Sequence, residues 1–198
     1  MSNLSKKRNA IFVTVGTQLP FDRLITAVDS WAGQNSATDI FAQVGEGGML
    51  PFNIDSQARL SMKEFASQVA DADLLISHAG MGSIITALDL GKPIIILPRL
   101  AMHGEHRNDH QLATAGKFAN IDGIHLACNE NEIASCIERV LAAPKFAVED
   151  CKIKVGNSRN IELISMVRQF IYDGNMHKGN EDKPSIIKRG QALKNYAA

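Results

Sequence analysis

Cysteine is scarce in this sequence: Cys128, Cys136 and Cys151 are the three thiols in 198 residues, and no C-x-x-C pair occurs. An odd count at these spacings excludes a disulfide scaffold and reads as incidental thiols in a reducing compartment. An excess of either charge is missing too. The 21 Lys and Arg residues balance the 21 Asp and Glu residues, which argues against nucleic acid as the main partner, because phosphate-binding surfaces are basic. Long apolar runs are absent: Ala10–Val15 contains Thr14 and stops at Gly16, and Ile94–Leu97 is closed by Pro93 and Pro98. A bilayer span needs roughly 20 apolar residues. Lys6, Lys7 and Arg8 precede the first run, but that run is too short and polar for a secretion signal.

Several nucleotide and hydrolase motifs are also missing. There is no G-x-x-x-x-G-K-[ST], which excludes P-loop hydrolysis, and no G-x-S-x-G elbow. The first apolar run leads into Gly16-Thr17-Gln18, and Gly80-x-Gly82 is followed by Ile85 where a dinucleotide fingerprint has its third glycine.

What is present is ordinary globular composition, 45% apolar and 21% charged. At roughly 150 residues per domain, the length suits one domain with an appendage. Runs rich in β-branched residues alternate with helical periods, the pattern of a parallel sheet wrapped by helices. Strands are expected at Ala10–Val15, Asp39–Val44, Leu74–Ser77, Pro93–Leu97 and Ile124–Ala127. Phe21, Leu24, Ile25, Val28 and Trp31 recur on one helical face. Ser61 with Glu64 predicts a capping box opening a helix whose Phe65, Ala66 and Val69 turn inward, and Asn129 with Glu132 predicts another before Ile133, Ile137, Val140 and Leu141. A last helix is expected over Ser158–Tyr172. Beyond it Lys178, Lys183, Lys188, Arg189 and Lys194 outnumber Asp173, Glu181 and Asp182 in a polar, basic tail. The expected division is a domain over 10–172 and a tail over 173–198.

In open α/β sheets, ligands sit beyond the carboxyl ends of the strands, so the loops after them carry the chemistry. Three stand out: Gly16-Thr17-Gln18, Ser77 to Ser83, and the long stretch from Arg99 to Gln111. In the second, Gly80 and Gly82 clear side chains from the backbone, and a helix starting near Ser83 aims unpaired N–H groups at the space, which suits a phosphate. His78 and the Ser83 hydroxyl can each add a hydrogen bond. The third loop gathers His103, His106 and His110 with Glu105, Asn108, Asp109 and Gln111, side chains equipped to read sugar hydroxyls. A metal is the competing reading, since His106 and His110 are four apart, but no established zinc spacing is present.

The segments IFVTVGTQLPFDRLI, ADLLISHAGMGSIITALDLGKPIIILPR and HGEHRNDHQLATA, in this order and spacing, resemble the glycosyltransferase family 28 C-terminal domain over roughly residues 10–170. The likeness is greatest to PssE-like subunits of bacterial exopolysaccharide and capsule synthesis, a branch related to MurG and to the catalytic subunit that adds the second GlcNAc to dolichyl diphosphate. The resemblance implies an α/β, Rossmann-like parallel sheet with helices on both faces, the donor-binding half of a GT-B enzyme.

It further implies that His78, Gly80, Gly82 and Ser83 hold the diphosphate of a UDP-sugar, with Gly16 and Thr17 facing it. Asn108, Asp109, His110 and Gln111 would read the sugar, and Met62 would lie near the uracil. No essential metal or other cofactor is implied. Many relatives carry a Glu eight residues after the histidine to bind the ribose, and here that position is Thr86. A membrane-anchored, PssD-like partner would bind the acceptor, a lipid-diphosphate-linked saccharide, and bring this chain to the cytoplasmic face of the plasma membrane. Transfer would be inverting, with His78 assisting departure of UDP and the general base open among His103, Glu105, His106 and the partner. The alternative expectation is a non-catalytic subunit that keeps the fold and enhances its partner.

Overall fold

A computed structural model describes residues 9–143. Among these, six strands, β1 (Ala10–Thr14), β2 (Asp39–Gln43), β3 (Asp55–Gln57), β4 (Leu74–His78), β5 (Ile94–Leu97) and β6 (Ile124–Leu126), join in one sheet. The helices are α1 (Asp22–Ala32), α2 (Met62–Asp71), α3 (Met81–Asp89), α4 (His110–Phe118) and α5 (Ile133–Ala142). The strand order is β3-β2-β1-β4-β5-β6, and every neighbouring pair is parallel. This is the doubly wound order of a Rossmann-like sheet, whose winding reverses between β1 and β4. The expected fold class is the observed one.

The helical stripe Leu24, Ile25, Val28 and Trp31 of α1 packs with Ile11, Val13, Leu74, Ile76, Ile95 and Leu97, and with Ile133, Cys136 and Ile137 of α5. On the other face Phe12 meets Phe65 of α2 edge-on at 5.5 Å. Covered on both sides, β5 is apolar throughout and fully buried. Among the described residues no helix is long and apolar enough to cross a membrane.

Some details differ from the sequence reading. The edge strand β3, Asp-Ser-Gln, has no alternating pattern and exists through its pairing with Phe41–Gln43 of β2. Ala66 is exposed rather than inward; Val69 is buried and Phe65, four residues before it, half-buried, and the next residue after Phe65 swings off that line. The Ser61–Glu64 capping box forms, with Ser61 N donating to Glu64 Oε2 at 2.8 Å and Glu64 N to Ser61 Oγ at 3.2 Å. The Asn129–Glu132 box does not close as expected. Asn129 Oδ1 accepts from Asn131 N, Glu132 accepts from Cys128 N, and a 3-10 turn at Glu130–Glu132 precedes α5. The helix expected over Ser158–Tyr172, the tail and Cys151 lie outside the described residues.

Candidate functional site

The three expected loops leave the carboxyl ends of β1, β4 and β5, which are neighbours in the sheet. Two side chains hold them together. Arg99, at the end of β5, is buried, and its guanidinium donates to four carbonyls: Val15 and Leu19 from Nη2 at 2.8 and 2.6 Å, Pro20 and Glu105 from Nη1 at 2.6 and 3.2 Å. It also lies over the Phe21 ring, 4.7 Å from its centre. The first and third loops are thereby tied. Burial pulls the Arg99 pKa down to about 10 against an opposing pull from Glu105, so it stays charged at neutral pH.

His78, the last residue of β4, ties the first and second loops. Its ring is enclosed by Gly16 and Gly80: a Cβ on Gly16 would lie 2.8 Å from His78 Cε1, and a Cβ on Gly80 would collide with His78 Nε2. Gly16 also needs its φ of +79°, and its N–H donates to Thr14 Oγ1, which itself donates to buried Gln43 Oε1 at 2.7 Å. Burial first, then the nearby positive charge of Arg99, lower the His78 pKa to about 4 against the Thr14 carbonyl, with a lesser push from His106. The ring is neutral at pH 7.

Gly80, then, is bare chiefly to admit the His78 ring rather than a ligand. Gly82 fits the ligand reading, because a Cβ there would meet nothing within 4 Å. The helix begins two residues earlier than expected: Gly80 is the N-cap of α3, without a side-chain cap, and Ser83 is its third residue. Its first N–H groups face the β1/β4 switch point, where an anion is favoured. Thr86 Oγ1 donates to Gly82 O at 2.8 Å, so this hydroxyl serves the helix.

In the third loop Glu105 is fully engaged. Arg23 grips it through Nε and Nη2, and Leu100 N donates to it at 2.8 Å. Burial alone would raise its pKa, yet Arg23 and the Leu100 N–H together hold it below the ordinary Glu value. Such a carboxylate is a poor proton acceptor, so the geometry gives Glu105 the part of a brace rather than a base. His103 and His110 are exposed; His106 is half-buried, its Nδ1 3.1 Å from Asn108 O. Asp109 accepts from Ala101 N at 2.8 Å, and buried Gln111 accepts from Arg99 N at 3.1 Å. Of the four residues expected to read the sugar, Gln111 is thus buried with its carbonyl oxygen already holding the Arg99 backbone. Thr17 is exposed beside Gly16, and Met62, 92% exposed, begins α2 beyond the carboxyl end of β3 on the same sheet edge. Among the described residues no three His, Cys, Asp or Glu side chains gather in a way that could hold a metal ion.

Sequence reasoning missed Arg23, Arg99 and Glu130, whose Oε2 accepts from Arg23 Nη1 at 2.9 Å. The weak signal was an arginine directly after Pro98 at the close of a buried strand, where plain core would not place a charge.

Comparison with known proteins shows the family and the fold. The family model for the glycosyltransferase family 28 C-terminal domain matches residues 10–161. The human "UDP-N-acetylglucosamine transferase subunit ALG13" is 33% identical over 147 residues, 68% of this chain and 11% of its own length. The UDP-N-acetylglucosamine-N-acetylmuramyl-(pentapeptide) pyrophosphoryl-undecaprenol N-acetylglucosamine transferase of Prochlorococcus marinus (strain MIT 9312) is 24% identical over 148 residues, 73% of this chain and 38% of its own length. Acinetobacter baumannii MurG superposes with a TM-score of 0.55 at 20% identity, over 75% of this chain and 45% of that one. The chain thus spans less than half the length of each of these relatives.

Proposed function

The chain belongs to the glycosyltransferase family 28 C-terminal domain family, and from that membership we propose that it is the donor-binding catalytic subunit of a two-component inverting glycosyltransferase. It would move a sugar from a UDP-sugar to a lipid-diphosphate-linked saccharide, in exopolysaccharide or capsule synthesis, with a membrane-anchored PssD-like partner holding the acceptor at the cytoplasmic face. The observation that carries this reading is the joining of three loops by His78 and Arg99 at the β1/β4 switch point, over the start of α3.

The diphosphate fits against Gly82 and Ser83, with His78 alongside and Gly16-Thr17 facing it. Helix N–H groups and His78 stabilise the charge on departing UDP without a required metal. Asn108, Asp109, His110 and Gln111 face the sugar, and Met62 lies toward the uracil. With Glu105 engaged by Arg23, the base that takes the acceptor proton is His106, His103 or a partner residue. The relatives' names, a UDP-N-acetylglucosamine transferase subunit and a transferase acting on a pyrophosphoryl-undecaprenol acceptor, favour this donor and acceptor class.

One observation favours the second reading, a non-catalytic enhancing subunit: the Thr86 hydroxyl, where many relatives place a ribose-binding Glu, is occupied by Gly82 O. Coexpression with a candidate partner, followed by a screen of UDP-GlcNAc, UDP-glucose, UDP-galactose and UDP-glucuronate on a lipid-diphosphate acceptor, separates the two. Transfer that needs both chains and is lost on substituting His78 supports the first. Transfer by the partner alone, merely enhanced by this chain, supports the second.

A further inference from the structure

The Ser77 hydroxyl sits between two groups that make different demands of it. It is completely buried, 2.9 Å from the Thr14 carbonyl oxygen and 3.2 Å from His78 Nδ1. A serine hydroxyl carries one proton and two lone pairs, and a carbonyl oxygen only accepts. The hydroxyl proton is therefore required at Thr14, for otherwise two buried oxygens would face each other at hydrogen-bond distance without a proton. Ser77 Oγ can then only accept from His78, and the proton of that contact has to come from Nδ1.

Resting on the donor-site reading above, we propose that Ser77 is a positioning residue that fixes His78 as the Nδ1–H tautomer, leaving Nε2 as a bare acceptor, so that UDP-sugar binding takes up one proton at Nε2. A neutral ring with its only proton on Nδ1 has nothing to donate to a diphosphate from Nε2, and its lone pair repels the phosphate oxygens. Once a diphosphate lies against it, a proton from solvent on Nε2 converts that repulsion into a charge-assisted hydrogen bond. No bond other than N–H forms, and the proton returns to solvent when UDP leaves.

The charged and titratable groups facing the ring are Arg99, from the end of β5, and His106, from the third loop, and both oppose protonation. Burial foremost, and these two charges after it, keep the ring neutral in the free protein, with a pKa near 4. The gain of charge is thus coupled to the arrival of the anion. Affinity then falls as pH rises, by up to about tenfold per unit between the free and bound pKa values. UDP-GlcNAc is a suitable probe, because a diphosphate diester does not carry the second phosphate ionisation near pH 6 of a terminal phosphate.

Two measurements on the full chain decide the proposal. A long-range proton–nitrogen correlation spectrum of the free protein at pH 7 reads the tautomer directly: the Nδ1–H pattern is expected, and Nε2–H overturns the assignment. Ser77→Ala is expected to move the ring toward Nε2–H, and an unaltered spectrum in that variant overturns the role of Ser77. Calorimetric titration with UDP-GlcNAc in buffers of different ionisation enthalpy is expected to show close to one proton taken up. A buffer-independent heat overturns the coupling. Absence of binding by UDP-GlcNAc and by the three other UDP-sugars of the donor screen overturns both the coupling and the donor-site reading, while the spectrum still decides the tautomer by itself.

Discussion

Arg23 on α1 grips Glu105 in the third loop through two parallel hydrogen bonds, Nε to Oε1 at 2.8 Å and Nη2 to Oε2 at 2.9 Å, with both side chains largely shielded from solvent. The same arginine donates to Glu130 Oε2 and to the Pro98 carbonyl, both at 2.9 Å. One side chain therefore anchors the long polar loop to a helix that is itself part of the core.

Removing the cation leaves Glu105 without its partner. Arg23→Ala is expected to cost roughly 2–4 kcal/mol, between the exposed-pair and buried-pair ranges, measured as a fall in the urea midpoint with unchanged slope. A loss under about 0.5 kcal/mol, the size of an ordinary surface substitution, contradicts the brace. The pH dependence has a definite sign: the Glu105 pKa is depressed in the fold. Its contribution is complete above the unfolded value of about 4.3 and is lost as pH falls through the lower folded value. Stability should drop on acidification through this window in the native chain and drop less steeply in Glu105→Gln.

The two loop glycines should separate cleanly. A methyl group on Gly80 collides with His78 Nε2, whereas one on Gly82 meets open space. Gly80→Ala is expected to destabilise by about 1–3 kcal/mol through overpacking. Gly82→Ala should match the native chain or gain a few tenths of a kcal/mol from helix propensity, yet weaken UDP-GlcNAc binding about tenfold. Thermal melts paired with calorimetry give both numbers. A Gly82→Ala protein with native affinity removes the reason for a bare backbone there.

His78→Ala is expected to lower transfer in the reconstituted pair by about 10² to 10³, the usual effect of deleting one donor to a developing negative charge. Native turnover rules out that role. Gln at this position keeps an amide donor without a titrating group, so the variant should retain more activity than Ala and lose the pH dependence of donor affinity.

Arg99→Lys tests the loop tie. An ammonium has three donors on a flexible stem and cannot reproduce the guanidinium fork on four carbonyls. A loss of about 2 kcal/mol or more is expected from buried carbonyls left unpaired, together with weaker UDP-GlcNAc binding, since the first and third loops are then free of each other. Urea unfolding within 0.5 kcal/mol of native means that the carbonyl cage is not needed.

Much of the architecture is legible in the residues themselves. The stripe from Phe21 to Trp31 and the all-apolar Ile94–Leu97 report their burial through local period and composition, and Ser61 with Glu64 announces a helix start that forms as written. The edge strand Asp55–Gln57 is not legible, because its existence depends on a neighbour rather than on its own side chains. At the site, the positions of His78, Gly82 and the third loop follow from motif and strand end. The work of Arg23, Arg99 and Glu105 does not: their partners lie up to 107 residues away in sequence, and no local spacing encodes a contact made only when two loops meet. For the same reason Gly80 reads in sequence as room for a ligand, while in the fold that room belongs to the His78 ring.

The central claim is that a UDP-sugar binds at the carboxyl edge of the sheet, against the start of α3. A titration of UDP-GlcNAc into isotope-labelled full-length chain, read amide by amide, tests it most directly. The expected result is saturable shifts concentrated at Gly16-Thr17, His78–Ser83 and Arg99–Gln111. No shift at millimolar ligand, or shifts confined to the opposite edge around Ala10, Asp39 and Asp71, would contradict it.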